Sequence, residues 1–120
     1  MTRRSEIQEI IVDGNAQKLV STAMELGERL NKSDLSSAQL RATFSSLRRI
    51  EQLWGDPQTA TVAQRQLILL RPKMMYQEKR NSSVKQLRSY LDEAIQQVGN
   101  DRQRFGRLIE FVEAIIAYHK

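Results

Sequence analysis

Apolar residues recur at every third or fourth position along nearly the whole chain, a spacing that predicts amphipathic helices and no strands. Capping and turn residues divide this pattern into segments. They run from Thr2 or Ser5 to the break at 13–15, over about 15–30, from a cap within 33–37 to Trp54, from Thr59 or Thr61 to Arg80, over 84–98, and from Asn100 or Asp101 to 119. We therefore predict an all-α fold, a compact bundle of about five helices in a single domain spanning residues 1–120.

The same spacing predicts which side of each helix faces the core. In the second segment the inner positions are Ala16, Leu19, Val20, Ala23 and Met24. In the fourth, Pro72 removes one backbone donor and disfavours helical geometry at Arg71, so we expect a kink or a break at 71–73. The apolar arc of the last segment covers more than half of its circumference. That helix lies either at the centre of the bundle or partly against another subunit.

Composition is consistent with a folded helical protein. Of the 120 residues, 40% are hydrophobic and only two are proline, while Ala, Leu, Gln, Glu and Arg are abundant. The absence of cysteine excludes disulfides, thiolate metal sites and a cysteine nucleophile. No apolar run approaches the roughly 18 residues of a membrane helix. We expect a cytoplasmic protein with no signal peptide and no membrane contact.

The net charge of +5 is concentrated in the middle of the chain. Residues 41–80 hold eight basic side chains against three acidic ones, and the two flanks together hold eleven of each. The middle segment therefore carries the whole excess. A polyanion would be attracted there first, although a solvated helical surface explains a basic composition equally well.

Within the middle segment, the bases fall into two groups. Arg41, Ser45, Arg48 and Gln52 lie within about 60° on one stripe of the third helix, with Arg49 a little further round. Glu51 lies on the apolar side of this helix, where it either pairs with a base or marks a contact between subunits. The second group surrounds Pro72, and its Tyr76 is expected in the core rather than on the surface as a stacking platform for a base. The candidate residues for binding phosphate are Arg41, Arg48, Arg49, Arg71, Lys73, Lys79 and Arg80.

The parts of a catalytic site are missing from the sequence. The one histidine, His119, is the penultimate residue, so neither a serine triad nor a histidine-rich metal site can be assembled in the usual way. Glu110 and Glu113 share a helix face, but such pairs are more often solvated than metal-bound. No glycine-rich phosphate loop follows a predicted strand. We expect a protein that is not an enzyme and needs no cofactor or metal.

Three stretches of the chain carry recognisable motifs: Leu-Ser-Ser-Ala-Gln-Leu-Arg at 35–41, Leu-Arg-Pro-Lys-Met-Met-Tyr at 70–76, and Glu-Ala-Ile-Ile-Ala-Tyr-His within 111–120. They resemble the Ser/Thr-x-Gln-Ile/Leu-Arg helix start, the Leu-x-Pro-Lys-x-x-Tyr segment and the closing Glu-Ala-x-x-Ala-Tyr-His of one known family. That family is the small subunit of the type III-A CRISPR effector (Csm) complex. The three occur in the family's order and spacing, and the resemblance extends over nearly the whole chain from Asp13 onward.

The resemblance implies a compact helical subunit whose copies line up as an inner filament along the duplex of guide (CRISPR) RNA and target RNA. Its other implied partners are the large subunit and the backbone subunits, which hold the catalytic activities of the complex. Such a filament contacts phosphates and sugars and leaves sequence discrimination to base pairing. Arg41 and Lys73 occupy matching motif positions, so the resemblance supports these two as RNA contacts. Replacing Arg41 and Arg48 together by Ala should weaken RNA binding and leave folding intact.

Two other functions fit the residues. A regulator that binds duplex DNA through a helix-turn-helix would use the 31–37 connection as its turn, although charge spread over two helices and a kink suits backbone tracking better than insertion into a groove. A purely structural adaptor would use the wide apolar face of the last helix, with the basic surface incidental. Preference for RNA over DNA, or no binding of either, distinguishes the three.

Overall fold

The computed structural model describes residues 2–120, in which six α-helices are connected by short turns. The helices are α1 (Arg3–Ile11), α2 (Ala16–Lys32), α3 (Ser37–Trp54), α4 (Ala60–Arg80), α5 (Lys85–Val98) and α6 (Arg102–Tyr118). A single 3₁₀ turn, Ser82–Val84, leads into α5, and residues 2–120 contain no strand. The all-α prediction is confirmed. The number of helices is six, one for each segment of the apolar pattern, rather than the predicted total of about five.

Side-chain caps explain where four of the helices begin. The Thr2 hydroxyl accepts from the backbone N–H of Ser5, and the Asn15 and Asp101 side chains accept from the N–H three residues on. At α3, the side chains of Ser36 and Gln39 each accept from the other's backbone N–H, which forms a capping box. These contacts satisfy amide groups that have no partner within the helix. Thr2, Ser36 and Asp101 were among the predicted caps, and Asn15 was predicted only as the approximate start of α2.

Helix α6 lies at the centre of the bundle and packs against α1, α2, α3 and α5. Its side chains that are at most 1% exposed are Phe105, Leu108, Phe111, Val112 and Ile115. Its wide apolar arc is therefore explained by contacts within the chain. The regular apolar stripe of α5 is buried as well, and it consists of Leu87, Leu91, Ala94, Ile95 and Val98.

Two contacts tie α6 to distant parts of the chain. The Trp54 ring at the end of α3 stacks on Phe105, with centroids 5.0 Å apart. Arg107 donates from Nη1 to the carbonyl oxygens of Ile11 and Val12, which are free at the end of α1. The chain then reverses through Gly14, whose φ of +69° suits a residue without a side chain. The two contacts hold the ends of α3 and α1 against α6.

The buried face of α2 matches the predicted one only in part. Ala23 is buried as predicted, but Ala16, Val20 and Met24 are exposed. The other side chains on the buried face include Thr22, Leu26 and Leu30. At 100° per residue, Val20 and Met24 lie about 100–140° from the centre of that face. Leu26 and Leu30 are fully buried and fix which side of α2 faces the core. Val20 and Met24 belong to the same continuous helix, so they are turned outward.

Helix α4 continues through Pro72, so the predicted break does not occur. The missing N–H of Pro72 leaves the carbonyl of Ile68 without its helical donor. Both residues are exposed, so water can reach that carbonyl. Because the unpaired group is hydrated rather than buried, the 21-residue helix tolerates the proline.

Candidate nucleic-acid interface

Helices α3 and α4 pack against each other as a hairpin that carries the net charge of the chain. Residues 37–80 contain the same eight bases and three acids as the middle segment of the sequence. The rest of the chain is neutral in sum. Folding therefore places the whole positive excess on two neighbouring helices.

A groove of about 560 Å³ runs between the two helices and ends at the connection to α5. Three of the predicted residues line it: Arg49 from α3, and Lys73 and Arg80 from α4. No carboxylate lines the groove. The buried apolar side chains of Ile50, Met74 and Leu87 also line the groove, beside the three bases.

Neutral polar side chains also line this α3–α4 groove, and sequence analysis missed them. They are Gln39, Thr43, Ser46, Gln66, Gln77 and Asn81. At 100° per residue, the Gln66, Lys73, Gln77 and Arg80 positions fall within about 60° of one another. That helical spacing was a usable signal. The walls thus offer amide and hydroxyl donors beside the cations.

Arg41 and Arg48 lie on an exposed stripe of α3 outside the groove, together with Ser45 and Gln52 as predicted. Arg48 pairs with Glu51 at 2.8 Å, and its guanidinium lies 5.9 Å from the centre of the Phe44 ring. The first alternative for Glu51, a base partner within the chain, is therefore the observed one. Arg41 has no carboxylate within 4.0 Å among residues 2–120.

Arg71 turns away from the groove toward α5. Its Nε lies 2.8 Å from one oxygen of Asp92, and its Nη2 lies 3.4 Å from the other. The hydrogen bond from Arg71 lowers the pKa of the Asp92 carboxyl, and the same bond raises the pKa of Arg71. Two of the donor nitrogens of this guanidinium are thus committed within the chain.

The bases at the end of α4 keep their charges free of intramolecular pairing. Glu78, the nearest acid in sequence, pairs with Arg88 of α5 at 2.7 Å. Within residues 2–120, neither Lys79 nor Arg80 has a carboxylate within 4.0 Å. Both side chains are exposed. The last turn of α4 therefore presents two unneutralised cations to solvent.

Tyr76 is 63% exposed, so its predicted place in the core is wrong. The inner face of α4 is filled by Ala63, Leu67 and Met74, and Tyr76 lies on the opposite side of the helix. Arg80 lies over the Tyr76 ring, with 6.0 Å from its guanidinium carbon to the ring centre. Apolar spacing alone could not distinguish the two faces, since α4 carries apolar residues on both.

The remaining polar features are structural. The ring Nε2 of His119 lies 2.9 Å from the carbonyl oxygen of Leu35, to which it donates, and this contact fastens the end of α6 to the α2–α3 connection. Among residues 2–120, no three His, Asp or Glu side chains are grouped so that they could hold a metal ion. No helix within that range has the length and apolar character needed to span a membrane.

The fold and this surface define a small all-helical protein with one strongly basic hairpin. A family model described as Csm2 Type III-A matches residues 13–120. The chain belongs to this family, the small structural subunit of the type III-A Csm effector complex of CRISPR defence. The predicted family is confirmed, and the matched range contains all three motif stretches. Comparisons with curated proteins and with solved structures gave no match.

Proposed function

We propose that this chain contacts the backbones of guide and target RNA through its α3–α4 hairpin, without sequence preference, within the Csm complex. The observation that carries this proposal is the α3–α4 groove, which gathers Arg49, Lys73 and Arg80 and includes no carboxylate. Cations along a groove attract a polyanion, and arginine forks match phosphate oxygens. Sequence discrimination then falls to pairing between guide and target.

The other predicted residues extend this contact surface. Arg41 and Arg48 line the outer stripe of α3, and Lys79 continues the end of α4. Arg71 contributes least, because Asp92 already occupies two of its donors. A guanidinium held by a carboxylate has fewer N–H groups left for a phosphate, and the carboxylate offsets its positive charge.

The proposed protein partners are copies of the same chain, forming an inner filament, together with the large and backbone subunits. Exposed apolar side chains on α2 and α4 offer surfaces for such neighbours. They include Val20, Met24, Val62, Ile68 and Leu69. We also propose that the chain itself catalyses no reaction, since its one histidine is engaged by a backbone carbonyl.

The direct test is binding of a fluorescent RNA of mixed sequence across a salt series, with duplex DNA for comparison. For single strands, log affinity falls by about 0.7 per phosphate contact per log unit of salt. The Arg49→Ala/Lys73→Ala variant removes two proposed contacts and should reduce the slope by about 1.4. The Arg41→Ala/Arg48→Ala variant tests the outer stripe in the same assay.

The control variant is Lys18→Ala/Lys32→Ala, which removes the same charge from α2. Helix α2 packs against α1, α5 and α6. If RNA contacts only the α3–α4 hairpin, the salt slope of the control variant should equal that of the wild-type chain. Equal losses in the groove and control variants would show binding through net charge alone and would refute the proposal. Tight, sequence-selective binding of duplex DNA would favour the regulator instead.

A further inference from the structure

Tyr76 is an aromatic ring on an open, basic surface rather than a core residue. Among residues 2–120 it is the most exposed of the large hydrophobic residues, at 63%. A ring left this open exposes a flat apolar face to water, which costs free energy unless something covers it. Within residues 2–120, the guanidinium of Arg80 lies over the face of this ring, 6.0 Å from its centre.

Three cations flank Tyr76, each about one helical turn away from it along α4. Lys73 precedes it by three residues, and Lys79 and Arg80 follow by three and four, so all neighbour it on the helix surface. None of the three has a carboxylate within 4.0 Å in the described part of the chain. Lys73 and Arg80 also line the α3–α4 groove. Tyr76 thus stands at the rim of the proposed RNA surface.

We propose that Tyr76 stacks on an unpaired base of RNA while Lys73 and Arg80 hold the adjoining phosphates. The inference rests on the RNA contact proposed above and names the form of RNA that this surface prefers. Aromatic rings flanked by cations are the usual platform for single-stranded nucleic acid, because every base has a π-face and every linkage a charge. Arg80 beside the ring adds a cation to the stack.

This arrangement discriminates by strand state rather than by sequence. In a duplex, the faces of interior bases are covered by their neighbours, so Tyr76 can reach only a terminal, bulged or displaced base. The cations bind phosphates of either form. Single-stranded or locally unpaired RNA should therefore gain the stacking contribution, and a continuous duplex should not.

The test uses the purified full chain and two probes, an oligouridine with one central 2-aminopurine and a blunt RNA duplex of equal length. Tyr76→Leu keeps an apolar side chain without the ring, and Tyr76→Phe keeps the ring. Loss of stacking should cost Tyr76→Leu about tenfold in affinity for the single strand, with Tyr76→Phe within about twofold of wild type. Binding should quench 2-aminopurine fluorescence in wild type and Tyr76→Phe only.

Two comparisons complete the design. Affinity for the duplex should change by less than about twofold in either Tyr76 variant, because phosphate contacts are kept. Ile68→Ala removes another exposed apolar side chain of α4 and should leave affinity for both probes at the wild-type value. Circular dichroism checks that every variant is folded.

Several results would overturn the inference. Unchanged single-strand affinity in Tyr76→Leu, an equal loss on the duplex, or no binding of either probe by wild type would each do so. Loss of self-association in Tyr76→Leu, with RNA affinity intact, would assign the ring to a contact between copies. Failure of the RNA proposal has a different signature, in which Arg49→Ala/Lys73→Ala and the α2 control have the same salt slope.

Discussion

At the scale of single residues, Gly27 determines how closely α2 can approach α6. Its Cα faces the end of α6, and a Cβ built at this position would lie 2.9 Å from the Tyr118 Cβ and 3.0 Å from the Tyr118 carbonyl carbon. Both neighbours belong to a helix end that is fastened by His119 to the Leu35 carbonyl. The contact between α2 and α6 at Gly27 is therefore too close to accommodate a methyl group.

We expect Gly27→Ala to lower the free energy of unfolding by about 1–2 kcal/mol, since overpacking outweighs the gain in helix propensity. Gly106→Ala in α6 is the matched control, because a Cβ there meets nothing within 4 Å. It should raise stability by about 0.5–1 kcal/mol. Urea denaturation measures both, and effects of the same sign would contradict the close crossing.

Sequence analysis succeeded at residues whose role depends on nearby positions. Ser36 and Asp101 cap helices through amides three residues away, so their role is visible in the sequence. Tyr76 and Val20 were wrongly placed, because their burial depends on which helix lies beside them. Arg71 was predicted to bind RNA phosphate. Its ion pair with Asp92, 21 positions further along the chain, could not be predicted from nearby residues.

At the scale of elements, ion pairs join α4 to α5. Arg71 pairs with Asp92, and Glu78 pairs with Arg88, so each helix contributes one cation and one anion. The four side chains range from 18% to 40% exposed, so solvent screens them only in part. These contacts fix α4 on one side while its other side forms the groove.

The Arg71–Asp92 pair should give stability a specific pH dependence. The pKa of Asp92 is lower in the folded chain than its ordinary 3.8, so the pair stabilises the fold above that pH. The contribution is lost as pH falls through the folded-state pKa. Asp92→Asn should therefore reduce the free energy of unfolding by about 1 kcal/mol or less at pH 7, and the difference from wild type should shrink as the pH falls below 3.8.

Glu113→Gln serves as the control for this titration, because Glu113 is exposed and forms no ion pair within residues 2–120. It should leave the pH profile of unfolding unchanged. A constant difference between Asp92→Asn and wild type from pH 2 to 7 would mean that the carboxylate's charge is irrelevant to stability.

The helix boundaries were largely predictable, and the exceptions have physical causes. Asp13–Asn15 and Gly55–Pro57 interrupt the apolar pattern and were correctly placed as connections. Pro72 was expected to kink or break α4, and the break does not occur: the carbonyl that Pro72 leaves without a donor belongs to Ile68, on the exposed side of the helix. The sequence shows that Pro72 lacks a backbone N–H, but it does not show whether that position faces solvent or the core.

At the scale of the whole molecule, folding converts a charge bias along the chain into a basic surface. The excess of five charges was assigned correctly to the middle segment, and α3 and α4 bring that segment together. The groove itself was not predictable, because it depends on how α3 packs against α4. That packing places Arg49 of α3 and Lys73 of α4 along the same groove. Family membership rests on local motifs and on the match over residues 13–120.

The central claim, that the α3–α4 hairpin faces RNA in the assembled complex, is tested most directly by photo-crosslinking. A benzophenone amino acid replaces Gln77 in the groove or, as the matched position, Glu25 on the exposed side of α2. Each variant is assembled with the other Csm subunits, guide RNA and target RNA, and then irradiated. We predict RNA adducts from position 77 and only protein adducts, if any, from position 25. RNA adducts from position 25 and none from position 77 would contradict the account.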